Sequence, residues 1–281
     1  MSNKKCGIFI SCILLLSLSS FTINAQKSTG SKKGEFYISW GYNTEWFTHS
    51  NLKINQPELG NEFTFKNING HDHPGWDKGL FSKALTIPQY NYRIGYFFGN
   101  KKDIGIEINF DHTKFIFTDD QVVHIKGTLN SKPYDSHVRF KQNDFPTADS
   151  NSYYFLNNGA NFLLFNIVKR WHIKDNKKGT IAIDGLTKFG VGPLVPHVQN
   201  KFFDQPQNSP HFQIGGWNTG LEGAIRSTFY KHVYLEFAAK LDYARYSDLK
   251  IYKGTARQAF ATAEIILNLG YTFKTGKKHR Q

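Results

Sequence analysis

The sequence predicts an all-β fold: a transmembrane up-and-down antiparallel β-barrel of about eight strands, with an alternative of ten, carrying long extracellular loops. Three observations carry that expectation. Apolar and polar residues alternate with period two over segments of about 13–19 residues. After residue 25 no segment is apolar for the roughly 20 residues that a spanning helix needs. The connections between segments are alternately short and long, the rhythm of a barrel with tight turns at one end and loops at the other.

Residues 1–25 read as a secretory signal. Lys4 and Lys5 give it a positive start, an apolar run follows from Ile8 to Leu18, and Asn24-Ala25 before Gln26 has the small-residue character of a cleavage site. An N-terminal membrane anchor is the alternative, but the run is short for a spanning helix. Residues 26–34 form a short polar linker. Both cysteines, Cys6 and Cys12, fall in the signal. The exported chain is therefore expected to hold no disulfide, thiolate metal site or cysteine nucleophile. The formal net charge is +13. An exported basic chain meets anionic lipid headgroups and lipopolysaccharide phosphates, so these are the expected partners rather than nucleic acid. With 25 Phe and 14 Tyr, the chain has the aromatics to furnish girdles at two membrane interfaces.

The segments follow in order. In 35–47, Phe36, Ile38, Trp40 and Tyr42 oppose Ser39, Gly41, Asn43 and Glu45. In 86–98, Tyr90, Tyr92, Ile94 and Tyr96 oppose Gln89, Asn91, Arg93 and Gly95. In 103–117, Ile104, Ile106, Ile108 and Phe110 oppose Gly105, Glu107, Asn109 and Asp111. The fourth, 154–172, alternates poorly and its facing stays open. In 180–192, Ile181 and Ile183 oppose Asp184 and Lys188; in 212–229, Leu221 and Ile225 oppose Glu222 and Arg226. In 233–246, Val233, Leu235, Phe237 and Leu241 oppose Glu236, Lys240 and Asp242; in 259–273, Ile265, Leu267 and Leu269 oppose Glu264, Asn268 and Gly270.

Tight turns are expected at 99–102, 175–179 and 230–232, and long loops at 48–85, 118–153, 193–211 and 247–258. Both termini then lie on the short-turn, periplasmic side. Val122 to Thr128 and His137 to Gln142 also read as strands, each shorter than the roughly 9–11 residues of a tilted span. They are expected to form a hairpin above the membrane; counting them in the wall gives the ten-stranded alternative. The barrel domain is thus 35–273, followed by a basic periplasmic tail, 274–281.

The polar faces hold both signs of charge: Glu45, Arg93, Glu107, Asp111, Asp184, Lys188, Glu222, Arg226, Glu236, Lys240, Asp242 and Glu264. In an eight-stranded barrel the interior is just wide enough for side chains to fill. These groups are expected to form a lumen ion-pair network that leaves no transport path. Other chemistry has few candidates. His71 and His73, beside Asp72 and Asp77, are a candidate metal pair; a polar surface turn is the simpler reading. Asp111 and His112 are candidates for catalysis at the outer rim, but they face opposite ways on a regular strand, and a bulge would be needed to join them. Glu236 and Glu264 would suit acid–base chemistry only if substrate reached them. Lys101, Lys102, Lys177, Lys178, Lys274, Lys277, Lys278 and Arg280 form an expected cationic collar at the short-turn side. There is no phosphate-binding loop, dinucleotide fingerprint or serine elbow, and no cofactor is expected.

The alternating apolar positions of the last segment end in Tyr271 and Phe273. Here the chain resembles bacterial outer-membrane β-barrel proteins, whose last strand commonly ends in an aromatic read by the insertion machinery. It departs from them in running on from Lys274 to Gln281. In size it is similar to the membrane domain of OmpA-type proteins and to PagL-type lipid A deacylases; its aromatic-rich strands and basic character resemble proteins of the Bacteroidota. The resemblance implies an outer-membrane barrel of structural or ligand- and partner-binding type, with a lipid A deacylase-like hydrolase acting at the outer rim as the alternative. The His-x-Ser pattern of those deacylases is missing, since Lys114 follows His112 by two positions.

Overall fold

A strand with period-two alternation presents one apolar and one polar face, and the sheet must then place each face in a matching medium. The computed structural model describes residues 34–75, 89–99, 103–140 and 152–275. The expected signal at 1–25, most of the linker, the tail from residue 276, Asp77 and the turn lysines Lys101 and Lys102 lie outside the described residues. In chain order the strands are β1 (Gly34–Phe47), β2 (Ser50–Gln56), β3 (Asn61–Ile68), β4 (Gly70–His71), β5 (Tyr90–Phe97), β6 (Ile104–Asp111), β7 (Phe115–Phe117), β8 (Gln121–Leu129), β9 (Lys132–Phe140), β10 (Tyr153–Leu156), β11 (Phe162–Asp175), β12 (Ile181–Pro193), β13 (Gln199–Lys201), β14 (Gly216–Phe229), β15 (Val233–Ile251) and β16 (Gly254–Thr275).

Eight of them close a ring in the order β1-β5-β6-β11-β12-β14-β15-β16, and β1 pairs back to β16 from Gly34↔Thr275 to Phe47↔Thr262. Every junction is antiparallel. Closure leaves the ring without an edge strand. Around this wall Ile94, Ile106, Ile108, Phe165, Ile167, Leu221, Ile225, Phe237, Leu267 and Leu269 point outward and are exposed. The charged set points inward and is buried. A soluble sheet does the reverse; monomers in water seldom expose so large a contiguous apolar area.

β15 and β16 are the longest strands and overshoot the rest of the wall. Their buried face changes character along its length. Up to Asp242 and Thr262 it carries Glu236, Lys240, Asn268 and Glu264; beyond, it carries Ala244, Tyr246, Leu249, Phe260 and Ala256. The outward face changes in the opposite sense, from Leu267 and Phe237 to Asp248, Lys250 and Arg257. β2 pairs with this extension of β16, and β3, β8 and β9 add to it in turn. A second sheet, β13-β10-β7-β4, packs against it. Between them lies an apolar core of Leu52, Ile54, Phe63, Phe65, Phe115, Phe117, Tyr154, Phe202 and Phe260. Its rings pack closely: Phe115 stacks on Phe260 with centroids 4.8 Å apart, and Phe117 lies 5.0 Å from Tyr154. This cap sits over the outer mouth, the end away from the turns at 176–180 and 230–232; the long loop expected at 247–258 is instead a continuation of the β15–β16 hairpin, which turns at Tyr252-Lys253.

The expectations hold in outline and change in detail. The ring has eight strands. The hairpin expected at Val122–Thr128 and His137–Gln142 is β8–β9, longer than expected yet outside the ring, because β8 pairs with β3. The stretches 48–85 and 118–153 are not simple loops: most of their described residues are cap strands. The segment 103–117 breaks after Asp111 into β6 and β7, and 154–172 divides into β10 and β11, because their outer parts leave the wall for the cap. The sixth segment starts at Gly216 rather than at residue 212. The poor alternation of 161–171 also has a cause. Phe162, Leu164 and Val168 face inward as apolar residues, and Phe165 and Ile167 face outward as apolar residues too.

Candidate functional site

Three places bring chemistry-bearing side chains together. The first is the lumen. Its central layer draws inward side chains from β5, β6, β12, β14 and β15. Lys188 Nζ lies 3.0 Å from Glu107, 3.1 Å from Glu222 and 2.8 Å from Glu236. Arg93 reaches Glu222 at 2.7 Å, Glu107 at 3.2 Å and Asp111 at 3.8 Å. In the outer layer Lys240 bonds Asp111 and lies 3.1 Å from Asp242 and 3.3 Å from Glu264. Asn43 donates to both Glu45 (3.0 Å) and Glu264 (2.8 Å). In the inner layer Arg226 bonds Glu236 at 2.6 Å, with its guanidinium between the Tyr37 and Tyr234 rings, 4.5 and 4.0 Å from their centroids.

Asp184 stands apart from this web and accepts from His172 Nδ1 at 3.0 Å near the short-turn mouth. A polar vestibule of about 460 Å³ opens there, lined by Glu35, Asp103, Arg170, His172, Asp175, Asp184 and Lys274 among others. Arg170 spans it, bonded to Glu35 at 2.9 Å and Asp103 at 3.3 Å. Sequence reading did not single out Asn43, Tyr37, Tyr234 or Arg170. Only their inward parity marked them, and neutral or end-of-strand residues do not stand out by parity alone. Glu236 and Glu264 do not face each other as a carboxylate pair: the first bonds Lys188 and Arg226, the second Lys240 and Asn43.

The second place is the outer rim at the end of β6. Asp111 turns into the lumen to Lys240, and also accepts from Asn109 at 2.6 Å. His112 turns elsewhere. Its Nδ1 lies 2.8 Å from Asn161 Oδ1 and its ring stacks on Tyr90 at 4.6 Å. The two residues therefore make no acid–base dyad, as expected for consecutive positions without a bulge. In the His71–Asp72–His73 loop, Asp72 is tied to β1. Asp72 accepts from Thr44 Oγ1 and from the Glu45 backbone N–H, each at 2.8 Å. His71 Nδ1 lies 3.4 Å from Thr118 Oγ1, and the His73 backbone donates to Gln89. Among the described residues, no group of three or more His, Cys, Asp or Glu is disposed to hold a metal ion.

The third place is the outer surface of the cap. Its β8–β9 hairpin carries His124 stacked on His137, centroids 4.5 Å apart. Asp135 is bonded there by His124 at 2.7 Å and Lys126 at 2.9 Å. Those two donors, Lys126 foremost, hold the Asp135 carboxyl down to about 2.

No family model and no curated protein matches the chain. Several solved structures are similar to it. The outer membrane protein OprG from Pseudomonas aeruginosa is 13% identical, over 88% of this chain and 99% of that one, with a TM-score of 0.40. The outer membrane protease OmpT from Escherichia coli is 11% identical, over 88% and 99%, with a TM-score of 0.35. Ail, the attachment invasion locus protein of Yersinia pestis, in complex with the heparin analogue sucrose octasulfate, is 11% identical, over 86% and 99%, with a TM-score of 0.32. What this chain does has to be read from its own residues.

Proposed function

We propose that the chain is an exported bacterial outer-membrane protein whose barrel, 35–273, is an ion-paired, non-conducting anchor, and whose cap is the working surface, binding an extracellular ligand or partner. One observation carries this reading: the reversal of polarity along β15 and β16. Where charge is buried and Leu235, Phe237, Leu267 and Leu269 are exposed, the surrounding medium is hydrocarbon. Where Tyr246 and Phe260 are buried and Lys250 and Arg257 are exposed, it is water. On this reading the membrane boundary lies just beyond Asp242 and Thr262. The cap therefore stands outside the bilayer, with the termini at the opposite, periplasmic end.

Binding is favoured over catalysis by the rim geometry. His112 is paired with an amide, and Asp111 is engaged with a lysine. It is favoured over transport by the filled lumen and by the apolar core lying across the outer mouth. Lipopolysaccharide and outer-leaflet lipid are the immediate neighbours of the girdle and rim. A signal at 1–25 and a basic tail from 274 fit this topology, with Lys177, Lys178 and Lys274 near the periplasmic headgroups.

The test is expression with the native N-terminus, followed by fractionation and gel migration with and without boiling. Recovery in the outer membrane with heat-modifiable migration is the expected result. A soluble periplasmic product that migrates identically in both lanes overturns it.

A further inference from the structure

We propose that the edge of β9 away from β8, unpaired among the described residues, is a docking edge for a second copy of this chain, joining two caps by antiparallel strand pairing about His137. This deepens the reading of the cap as an interaction surface.

The argument begins with the hairpin turn. Asn130 and Ser131 have φ of 50° and 60°, a two-residue turn of the primed type that closes on Leu129↔Lys132. In such a hairpin the closing pair is hydrogen-bonded and the bonding alternates from there. Residues 132, 134, 136, 138 and 140 therefore bond to β8. Pro133, Asp135, His137 and Arg139 direct their backbone groups to the other edge, where no strand pairs among the described residues. An open edge of this length is a template for another strand.

The side chains along that edge select the occupant. A two-fold axis at His137 sets Asp135, which His124 and Lys126 bond within its own hairpin, opposite the second copy's Arg139, which lies 3.1 Å from its own Asp120, and Arg139 opposite the second copy's Asp135, so each charge would bridge its own chain and the next. Unlike charges then face each other twice, and cross-strand pairs of this kind are favourable. On the other face Tyr134 falls opposite Phe140. Tyr134 and Val138 are only partly covered where they pack on the cap core, so pairing continues that core into the second copy. The three facing pairs supply about six backbone hydrogen bonds. Pro133, which has no N–H to give, falls just beyond the paired stretch. Charges and proline ordinarily protect an edge; here a two-fold arrangement turns the charges complementary and leaves the proline outside. The contact is isologous and closes at two copies.

Cross-linking tests the register. The only cysteines are Cys6 and Cys12, so His137→Cys adds one thiol at the proposed axis. A hydrogen-bonded antiparallel pair has Cα atoms about 5.5 Å apart, inside the disulfide range. Under oxidising conditions the full chain in detergent is expected to give a disulfide-linked dimer through residue 137. Lys53→Cys, on the same sheet two strands away from β8, is expected to give none. Light scattering of the unmodified chain at micromolar concentration is expected to report two copies per micelle. Asp135→Arg should weaken that association by roughly tenfold or more, and the exchange Asp135→Arg with Arg139→Asp should restore it.

A heat-modifiable barrel that remains monomeric overturns the docking edge and leaves the outer-membrane reading standing. A dimer indifferent to both charge variants, or equal cross-linking from residues 53 and 137, also overturns it. A soluble chain without heat-modifiability overturns the outer-membrane reading, and the cross-linking still decides the edge.

Discussion

Lys240 is the residue on which the outer lumen depends. One ammonium faces Asp111, Asp242 and Glu264, with Glu45 joined to the last through Asn43. Removing one partner of a buried ion cluster leaves the others uncompensated, typically at a cost of about 3–5 kcal/mol. Lys240→Met is therefore expected to lower the urea midpoint of the detergent-folded barrel, and the added substitution Asp111→Asn to recover part of the loss. Equal midpoints for the single variant and the unmodified chain would refute the role. Glycine serves the inner layer by a different route. A Cβ on Gly95 would meet the Tyr37 ring at 2.2 Å, and one on Gly270 would meet Tyr234 at 2.1 Å. Both glycines let a tyrosine lie flat over the strand and hold Arg226. In the hairpin, Asp135 sets an acid limit. Its carboxyl titrates near 2 in the folded chain, against about 3.9 unfolded. A lowered acid stabilises fully above the unfolded value and loses that contribution as pH falls toward the folded one. Amide protection in β8–β9, taken relative to the intrinsic exchange rate at each pH, is expected to fall as pH falls through this window, and Asp135→Asn should remove that loss.

Single strands serve two media. The wall part of β16 alternates outward Leu267 and Leu269 with inward Glu264 and Asn268, while its cap part buries Phe260 and Ala256. A charge on the outward wall face should therefore be costly, and one on the outward cap face should be tolerated. Leu267→Arg is expected to cost about 2–4 kcal/mol if it lies near the bilayer midplane, read as a fall in the folded fraction on an unboiled gel. Lys53→Glu on the outer face of β2 should leave that fraction unchanged. The cap core is separable in the same way. Phe65 is buried against Phe63, Phe117, Phe140 and Phe202, and burial of this kind makes Phe→Ala cost about 3–5 kcal/mol. The expected outcome for Phe65→Ala is proteolysis within 48–75 and 118–140 while the barrel stays heat-modifiable. Loss of the barrel together with the cap would show that the two fold as one unit.

For the whole molecule the consequence is closure. Eight strands leave room for side chains only, and here those side chains form ion pairs under an apolar cap. Planar-bilayer recordings are expected to show no steady conductance; an ohmic pore in the unmodified chain would refute the filled lumen. The sequence by itself determined the all-β class and the up-and-down order of the wall, with eight or ten strands left open. Period-two alternation fixes which residues of a strand share a face, and short turns fix which strands are neighbours, so the approximate place of each wall segment was legible, while many of its limits were not. The sequence did not show that 48–68 holds strands, nor that the hairpin read within 118–153 joins them in a cap. Their alternation, as in Glu62-Phe63-Thr64-Phe65, has the same period as the wall, and period does not reveal which medium lies on either side. Only the tertiary structure decided that they form a cap, through the overshoot of β15 and β16, which offers β2 an edge beyond the rest of the wall. It also decided the partners within the lumen. Parity can say that Arg93, Asp111 and Lys240 face inward, but which charges touch depends on the stagger of strands far apart in the chain.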